Sequence, residues 1–353
     1  MNVLVAMSGG VDSSVAAALL RDEGHVVTGV TLRLWGGESD SGCCSVSDVE
    51  DARRVAAQLD VPHYVFNLAE EFEGAVVDPY ARSYANGLTP NPCVECNRSI
   101  KFGVLLERAR SLGFDAVATG HHARVRRLGD GPYQLLRGTD RAKDQSYVLY
   151  MLGQAELAMT LLPVGELTKA EVRARAAQLG LRTATKPESM DVCFITRGGR
   201  ARFLDERIPP RPGPIVDTAG QAVGRHEGIA HFTVGQRRGL GVAVGDRRYV
   251  VDVDGASATV TIGTRDELGC RELHVRDLRW VANPPPAGAE LAVQARAHGV
   301  PVSGVLEGDR IRLTESMARV APGQVVALYD ALSDAQSDTR YDGEVLVGGG
   351  LAV

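Results

Sequence analysis

The sequence predicts an α/β domain built on a parallel sheet, followed by a small central domain and a C-terminal β-barrel. Three observations carry this expectation. Short apolar runs alternate with helix-periodic segments over the first 120 residues. A proline-rich stretch at 208–214 interrupts the chain. Beyond it, short β-prone runs are separated by Gly-Asp, Asp-Gly and Pro-Gly turn signals.

Taken in order, residues 2–7, 25–34, 63–68 and 116–120 read as buried parallel strands, because each is an almost unbroken apolar run. Residues 13–22, 48–59 and 100–112 between them read as helices. Thr168 followed by Glu171 forms a capping box that opens a further helix through Leu179, where Gly180 stops it. Strand–helix alternation implies right-handed crossovers and a ligand site at the carboxyl ends of the strands. After the break, residues 291–297, 300–307, 310–314, 324–329 and 343–351 look like strands of a small barrel, and the prolines at 284–286 divide the two β regions. The expected domains are 1–205, 206–275 and 276–353, with no internal repeat.

A chain of 353 residues, 44% hydrophobic and 24% charged, has ample material for a core. No apolar run reaches the roughly 20 residues needed to span a bilayer, and no secretory leader opens the chain, so a cytoplasmic protein is expected. Six cysteines then point to chemistry, metal ligation or packing rather than a disulfide framework. A net charge of −5 argues against indiscriminate nucleic-acid binding, but local basic patches exist. Ten arginines face five acids between 196 and 248, and six basic residues face three acidic ones between 121 and 147.

The segment Ala6-Met7-Ser8-Gly9-Gly10-Val11-Asp12-Ser13-Ser14 follows the first strand and opens the first helix. Glycines permit a tight turn, and serine hydroxyls with helix N-terminal amides bind anions. The loop lacks the Lys-Ser/Thr ending of a Walker loop and the spacing of a dinucleotide fingerprint. It resembles the SGGxDS signature of the PP-loop ATP pyrophosphatases, an adenine nucleotide alpha hydrolase-like fold. That resemblance implies that Ala6 to Ser13 bind ATP and that Leu32 and Gly120 line the adenine pocket. Magnesium would accompany the phosphates. Asp12 suits either a metal helper or a helix cap.

Cys93 and Cys96 form a Cys-x-x-Cys just ahead of the expected helix, where Arg98, Lys101 and the helix N-terminus would favour a thiolate. Cys193 follows 97 residues after Cys96 in a short apolar run. The motifs SGGVDSS, TPNPxxxCNxxIKF, ATGHHA, KDQSYVL, SMDVCFI and FTVGQRRGLG occur in this order over essentially the whole chain. In this they resemble the tRNA-specific 2-thiouridylases. The resemblance implies 2-thiolation of a wobble uridine through an adenylated intermediate, with Cys96 as nucleophile and Cys193 as persulfide carrier. A cysteine desulfurase or sulfur-relay protein would supply the sulfur, and a Cys96–Cys193 disulfide would be the by-product. One departure stands out: Cys93 occupies a position where many members have aspartate. Cys93, Cys96 and Cys193 together would suit a four-iron four-sulfur cluster, an alternative sulfur route. Structural zinc is a third reading of the pair.

By the same resemblance Asn91, Pro92 and Cys93 touch the target base. His121, Lys143, Asp144, Gln145 and Arg296 contact the tRNA. Read from chemistry alone, 143–146 is an ordinary polar helix start ahead of an apolar helical run at 147–152. Gln236-Arg237-Arg238-Gly239 fits a phosphate backbone or a solvated hairpin equally well. Cys43 and Cys44 read as incidental, Cys270 as a packed thiol, and His226 and His231 as structural. Two rivals remain open: a small-molecule PP-loop synthetase, and a non-catalytic RNA-binding protein.

Overall fold

The computed structural model describes residues 1–35, 46–187, 192–195, 199–242, 245–331 and 345–353. Its N-terminal domain runs β1 (Asn2–Ala6), α1 (Val11–Asp22), β2 (Val26–Arg33), α2 (Val46–Gln58), β3 (His63–Asn67), β4 (Ala116–Ala118), a β5–β6 hairpin (Ala123–Arg127 and Tyr133–Arg137), β7 (Thr160–Leu161) and α3 (Lys169–Gln178). The sheet order is β3-β2-β1-β4-β7, with every pairing parallel. Leu4 enters one core cluster while its neighbours Val3 and Val5 enter another. Both faces of β1 are therefore covered, which is why the strand is apolar throughout rather than alternating. The parallel arrangement brings the residues after β1 and β4 to one edge of the sheet.

Two expectations shift here. The helix expected from 100 begins with Pro92–Glu95, continues as a π-helical stretch Cys96–Val104, and ends as Leu105–Ser111. The cause is local. Pro92 suits the first helical position, and the Asn91 side chain caps it by accepting the Cys93 N–H at 3.1 Å. The Cys-x-x-Cys thus lies inside the first helical turns, not ahead of them. The apolar run 147–152 forms only a 3-10 turn, Ser146–Leu149. Tyr147, Leu149, Tyr150 and Leu152 are all buried, so no solvent face remains to impose a helical period.

In the central domain β8 (Gly213–Asp217), β9 (Ala222–His226), β10 (Tyr249–Asp254) and β11 (Thr259–Gly263) assemble in the order β10-β11-β8-β9 over Ile215, Val250 and Val260. The C-terminal strands are β12 (Gly269–Trp280), β13 (Glu290–Gln294), β14 (Val302–Glu307), β15 (Arg310–Ala318), β16 (Val325–Asp330) and β17 (Val345–Ala352). They close into a six-stranded barrel because β17 pairs with both β16 and β12. All five expected barrel strands are present, displaced by a few residues at their ends. The opening strand β12 was not expected. Arg271, Glu272, Arg276, Asp277 and Arg279 keep most of it exposed, and only Leu273 and Val275 are fully buried.

The β5–β6 hairpin explains much of the basic patch at 121–147. It leaves the N-terminal domain and extends the barrel sheet, with Leu136 opposite Val345 and Leu135 opposite Leu346. A second tie lies just before Asn91. The Thr89 N–H donates to the Pro322 carbonyl at 2.7 Å, and Gln324 Nε2 donates to the Thr89 carbonyl at 2.7 Å. Among the described residues no helix is long and apolar enough to cross a membrane.

Candidate nucleotide and thiol site

The loop after β1 is shaped by its own hydroxyls. Ser8 N–H donates to Ser13 Oγ at 3.2 Å, and Ser13 and Ser14 hydroxyls donate to the Gly10 carbonyl at 3.2 and 2.8 Å. Gly9 adopts φ +73°, and a Cβ there would run into the Asp48 backbone at the start of α2. Gly10 is the N-cap of α1 and supplies no side-chain cap. The first amides of α1 thus face a glycine-lined turn, the arrangement that receives phosphate. Gly120, after β4, lies on the same turn: a Cβ would stand 2.6 Å from Ser13 N and 2.8 Å from the Asp12 carbonyl carbon. Leu32 is buried on β2 beside Leu4 and Val30.

Asp12 neither caps α1 nor stands open to a metal. Both of its oxygens accept from Lys169 Nζ, at 2.7 and 2.6 Å, and Oδ1 also lies 3.1 Å from His122 Nε2. Burial pushes the carboxyl up, but the hydrogen bonds from His122 and Lys169 and the lysine charge outweigh it and hold Asp12 below its ordinary range. Asp12 is therefore an ionised, paired carboxylate. On the other side of the loop Lys186 Nζ donates to the Gly9 carbonyl (3.0 Å), Asp48 Oδ1 (2.6 Å) and Asp51 Oδ2 (2.7 Å). Sequence reasoning missed His122, Lys169, Lys186, Asp48 and Asp51. The capping box at Thr168 had placed Lys169 at a helix start, but nothing in its spacing told which way it faced.

The residues expected to meet RNA divide into two kinds. His121 is buried, with Nδ1 2.7 Å from Thr119 Oγ1, and burial, aided by the Lys101 charge, drives its imidazole well below the ordinary value. It is neutral at physiological pH. Asp144 is also buried: it accepts from Arg137 Nη1 (2.9 Å), Gly138 N–H (3.0 Å), Ser146 N–H (3.0 Å) and Ser146 Oγ (2.9 Å). Gln145, exposed to solvent, is tied to the segment after β4, while Lys143 is half-buried in the same turn. In the barrel, Arg296 Nη2 lies 3.7 Å from the point where a side chain on Gly235 would begin. The basic loop of the central domain and the barrel arginine are thus brought together. Gln236 pins that loop through Thr233 N–H and the Arg238 carbonyl, leaving Arg237 and Arg238 exposed.

Cys96 is 8% exposed and belongs to the cluster formed by Leu4, Leu32, Phe72, Tyr80 and Phe194; Cys193 packs against the same cluster. Phe194 is the anchor of the distal segment, with ring centroids 5.4 Å from Tyr80, 5.7 Å from Phe72 and 5.2 Å from Phe203. The electrostatic influence of Cys93 reaches the Tyr80 phenol in the same region. Among the described residues, no group of three or more His, Cys, Asp or Glu side chains is arranged to hold a metal. The three thiols, as placed, do not fit a ready iron–sulfur or zinc site. Cys270 packs beside the barrel core, and burial pushes its thiol up. His226 Nε2 lies 2.9 Å from the Ala258 carbonyl, and His231 pairs with Asp205 at 3.0 Å. Cys43, Cys44 and Asp191 lie outside the described residues.

Comparison with known proteins covers nearly the whole chain. Three family models match in succession: the tRNA methyl transferase HUP domain over 1–197, the tRNA methyl transferase PRC-barrel domain over 201–264, and the aminomethyltransferase beta-barrel domain over 270–352. A tRNA-specific 2-thiouridylase MnmA from Chloroflexus aggregans is 49% identical over 94% of this chain and 96% of its own. Its counterpart from Roseiflexus sp. is 47% identical over 99% of this chain and 98% of its own. Among solved structures, a 4-thiouridine synthetase–RNA complex with bound ATP matches at 18% identity and a TM-score of 0.38, covering 59% of this chain and 46% of the other.

Proposed function

The chain belongs to the tRNA-specific 2-thiouridylases, and from that premise we propose that it is an enzyme that thiolates a tRNA uridine through an adenylated intermediate, with Cys193 delivering the sulfur. The matching domain models are described by methyl transfer. The thiouridylase relatives govern the reading because each spans all three domains.

The observation that carries the proposal is the sharing of one apolar cluster by Cys96 and Cys193, a cluster that also holds Leu4 of β1, the strand leading into the nucleotide loop. ATP occupies Ala6 to Ser13, with Gly120 closing the α1 side of the pocket and Leu32 backing it. Magnesium arrives with the nucleotide as its counter-ion. Without nucleotide Asp12 pairs with Lys169 and His122, and no step is assigned to a protein-bound metal. Asn91, Pro92 and Cys93 receive the target base, and His121, Lys143, Gln145 and Arg296 meet the tRNA. Asp144, with its acceptors filled from within, positions this turn from behind.

The wobble uridine C2 oxygen attacks the α-phosphorus and pyrophosphate leaves. A cysteine desulfurase or sulfur-relay protein has loaded Cys193 as a persulfide. Its outer sulfur attacks C2, and AMP departs with the former C2 oxygen. The Cys96 thiolate then attacks the Cys193 sulfur. The bond from that sulfur to the outer sulfur breaks, and the electron pair remains on the outer sulfur as 2-thiouridine. A Cys96–Cys193 disulfide forms, which an external dithiol reduces before the next turnover. Pooling both thiols in an apolar cluster keeps water from the persulfide and the activated base.

The adenylate is tested with tRNA carrying oxygen-18 at uridine C2. The proposal expects the heavy oxygen in the phosphate of the released AMP. Unlabelled AMP alongside thiouridine would overturn it.

A further inference from the structure

The nucleotide loop contains no cation of its own: residues 6–14 carry serines, glycines and one aspartate. Helix amides and hydroxyls alone leave a triphosphate, and above all a departing pyrophosphate, poorly compensated. A lysine is nevertheless in place. Lys169, 157 residues after Asp12 in sequence, holds its ammonium 2.6 and 2.7 Å from the Asp12 oxygens. Asp12 is the second residue of α1, so the ammonium is held at the first turn of the helix whose N-terminal amides form the cradle. Its side chain is 13% exposed, shielded from bulk water.

The position of Lys169 is built rather than incidental. It is the first residue of a ten-residue helix whose capping box is complete: Thr168 accepts the Glu171 N–H, and Glu171 accepts the Thr168 N–H. Its own N–H donates to Asp140 Oδ2 at 3.0 Å. The backbone is thereby fixed, while the four-carbon stem leaves the ammonium able to change partners. Lys186, the other lysine at the loop, is held between two carboxylates and the Gly9 carbonyl and shapes the turn. Asp12 keeps a second partner, His122, if the lysine moves.

We infer that Lys169 is the cation of this nucleotide site, stored on Asp12 and transferred to the terminal phosphates of ATP when nucleotide enters. There it binds the triphosphate and stabilises the pyrophosphate as it leaves. The alternative is an ion pair that only ties α1 to α3. This inference rests on the assignment of Ala6 to Ser13 to ATP, and the test separates the two. Dissociation constants for ATP and for AMP are measured by calorimetry on the full-length protein, wild type and Lys169→Met, with thermal melting alongside. Loss of a charge-assisted contact to phosphate weakens ATP binding about 10- to 100-fold. AMP, which lacks the terminal phosphates, changes by less than about twofold. A purely structural pair predicts equal loss for both nucleotides, and that result overturns the inference. Failure of the wild type to prefer ATP over AMP would instead overturn the nucleotide assignment itself. If Lys169→Met does not fold, competitive amine labelling of the wild type read by mass spectrometry replaces it. ATP must then change Lys169 labelling while AMP does not, and equal effects count against the inference.

Discussion

Gln145 and His122 grip each other twice: the Gln145 N–H donates to the His122 carbonyl at 2.8 Å, and the His122 N–H donates to Gln145 Oε1 at 2.9 Å. His122 in turn reaches Asp12 at the head of α1. A residue assigned to tRNA is thus two contacts from the nucleotide loop. Both sites are presented by backbone that the parallel sheet brings to one edge.

Removing the side-chain half of this grip in Gln145→Ala should affect nucleotide as well as RNA. A neutral hydrogen bond contributes about 1 kcal/mol, equivalent to roughly fivefold. The expectation is a severalfold rise in the KM for ATP together with weaker tRNA binding. Steady-state kinetics with each substrate varied in turn checks this. A change confined to tRNA would mean that the two sites are independent.

Arg137 and Tyr329 predict a stability effect. The guanidinium lies 3.5 Å from the Tyr329 ring centroid and pairs with the buried Asp144, joining the hairpin to the barrel. Arg137→Ala leaves Asp144 without its charge partner, at a cost of roughly 3–5 kcal/mol. Chemical denaturation should show this loss. Arg137→Lys, which keeps the charge but not the stack, should recover part of it.

How far these features were legible in the sequence follows from how local their causes are. Strands such as β1 and the box at Thr168 declare themselves through apolar runs and fixed offsets. The glycine turn between β1 and α1 was legible because it is written in one contiguous motif. Lys169, Lys186 and His122 were not, because each meets the loop only through the fold: Lys186 bonds to Gly9, 177 residues away. Strand β12 hid for a different reason. Its outer face is charged, and its register comes from closing the barrel against β15 and β17 rather than from its own residues. Asn91, read as a base contact, also proved to be the cap that draws Cys93 into a helix.

The depressed His121 imidazole predicts a pH dependence of stability. Its folded-state pKa lies below the ordinary value of 6.5, so the unfolded chain takes up the proton first as pH falls. Stability from this group is full above about 6.5 and declines below it, by at most about 1.4 kcal/mol per pH unit for one proton. Denaturation of His121→Gln at pH 7.5, 6.5 and 5.5 should show a flatter dependence than the wild type. The slope that remains reflects His63 and His226, which burial also depresses. Identical slopes would contradict the burial argument.

Cys93 should be dispensable for sulfur transfer. With Cys96 and Cys193 performing the chemistry, Cys93→Asp should keep single-turnover thiolation within about threefold of wild type. Complete loss, restored by no amount of persulfide donor, would favour a role for all three thiols together.

The most direct test is a single turnover under anaerobic, iron-free conditions. Unmodified tRNA, ATP and protein preloaded with persulfide are mixed, and nucleosides and cysteine states are read by mass spectrometry. The account predicts one 2-thiouridine per loaded Cys193, an equal amount of AMP and pyrophosphate, and a Cys96–Cys193 disulfide, whereas Cys193→Ala yields pyrophosphate and adenylated tRNA but no thiouridine, free AMP or disulfide. Thiouridine formed at the wild-type level by Cys193→Ala, or absent from the loaded wild type, would contradict it.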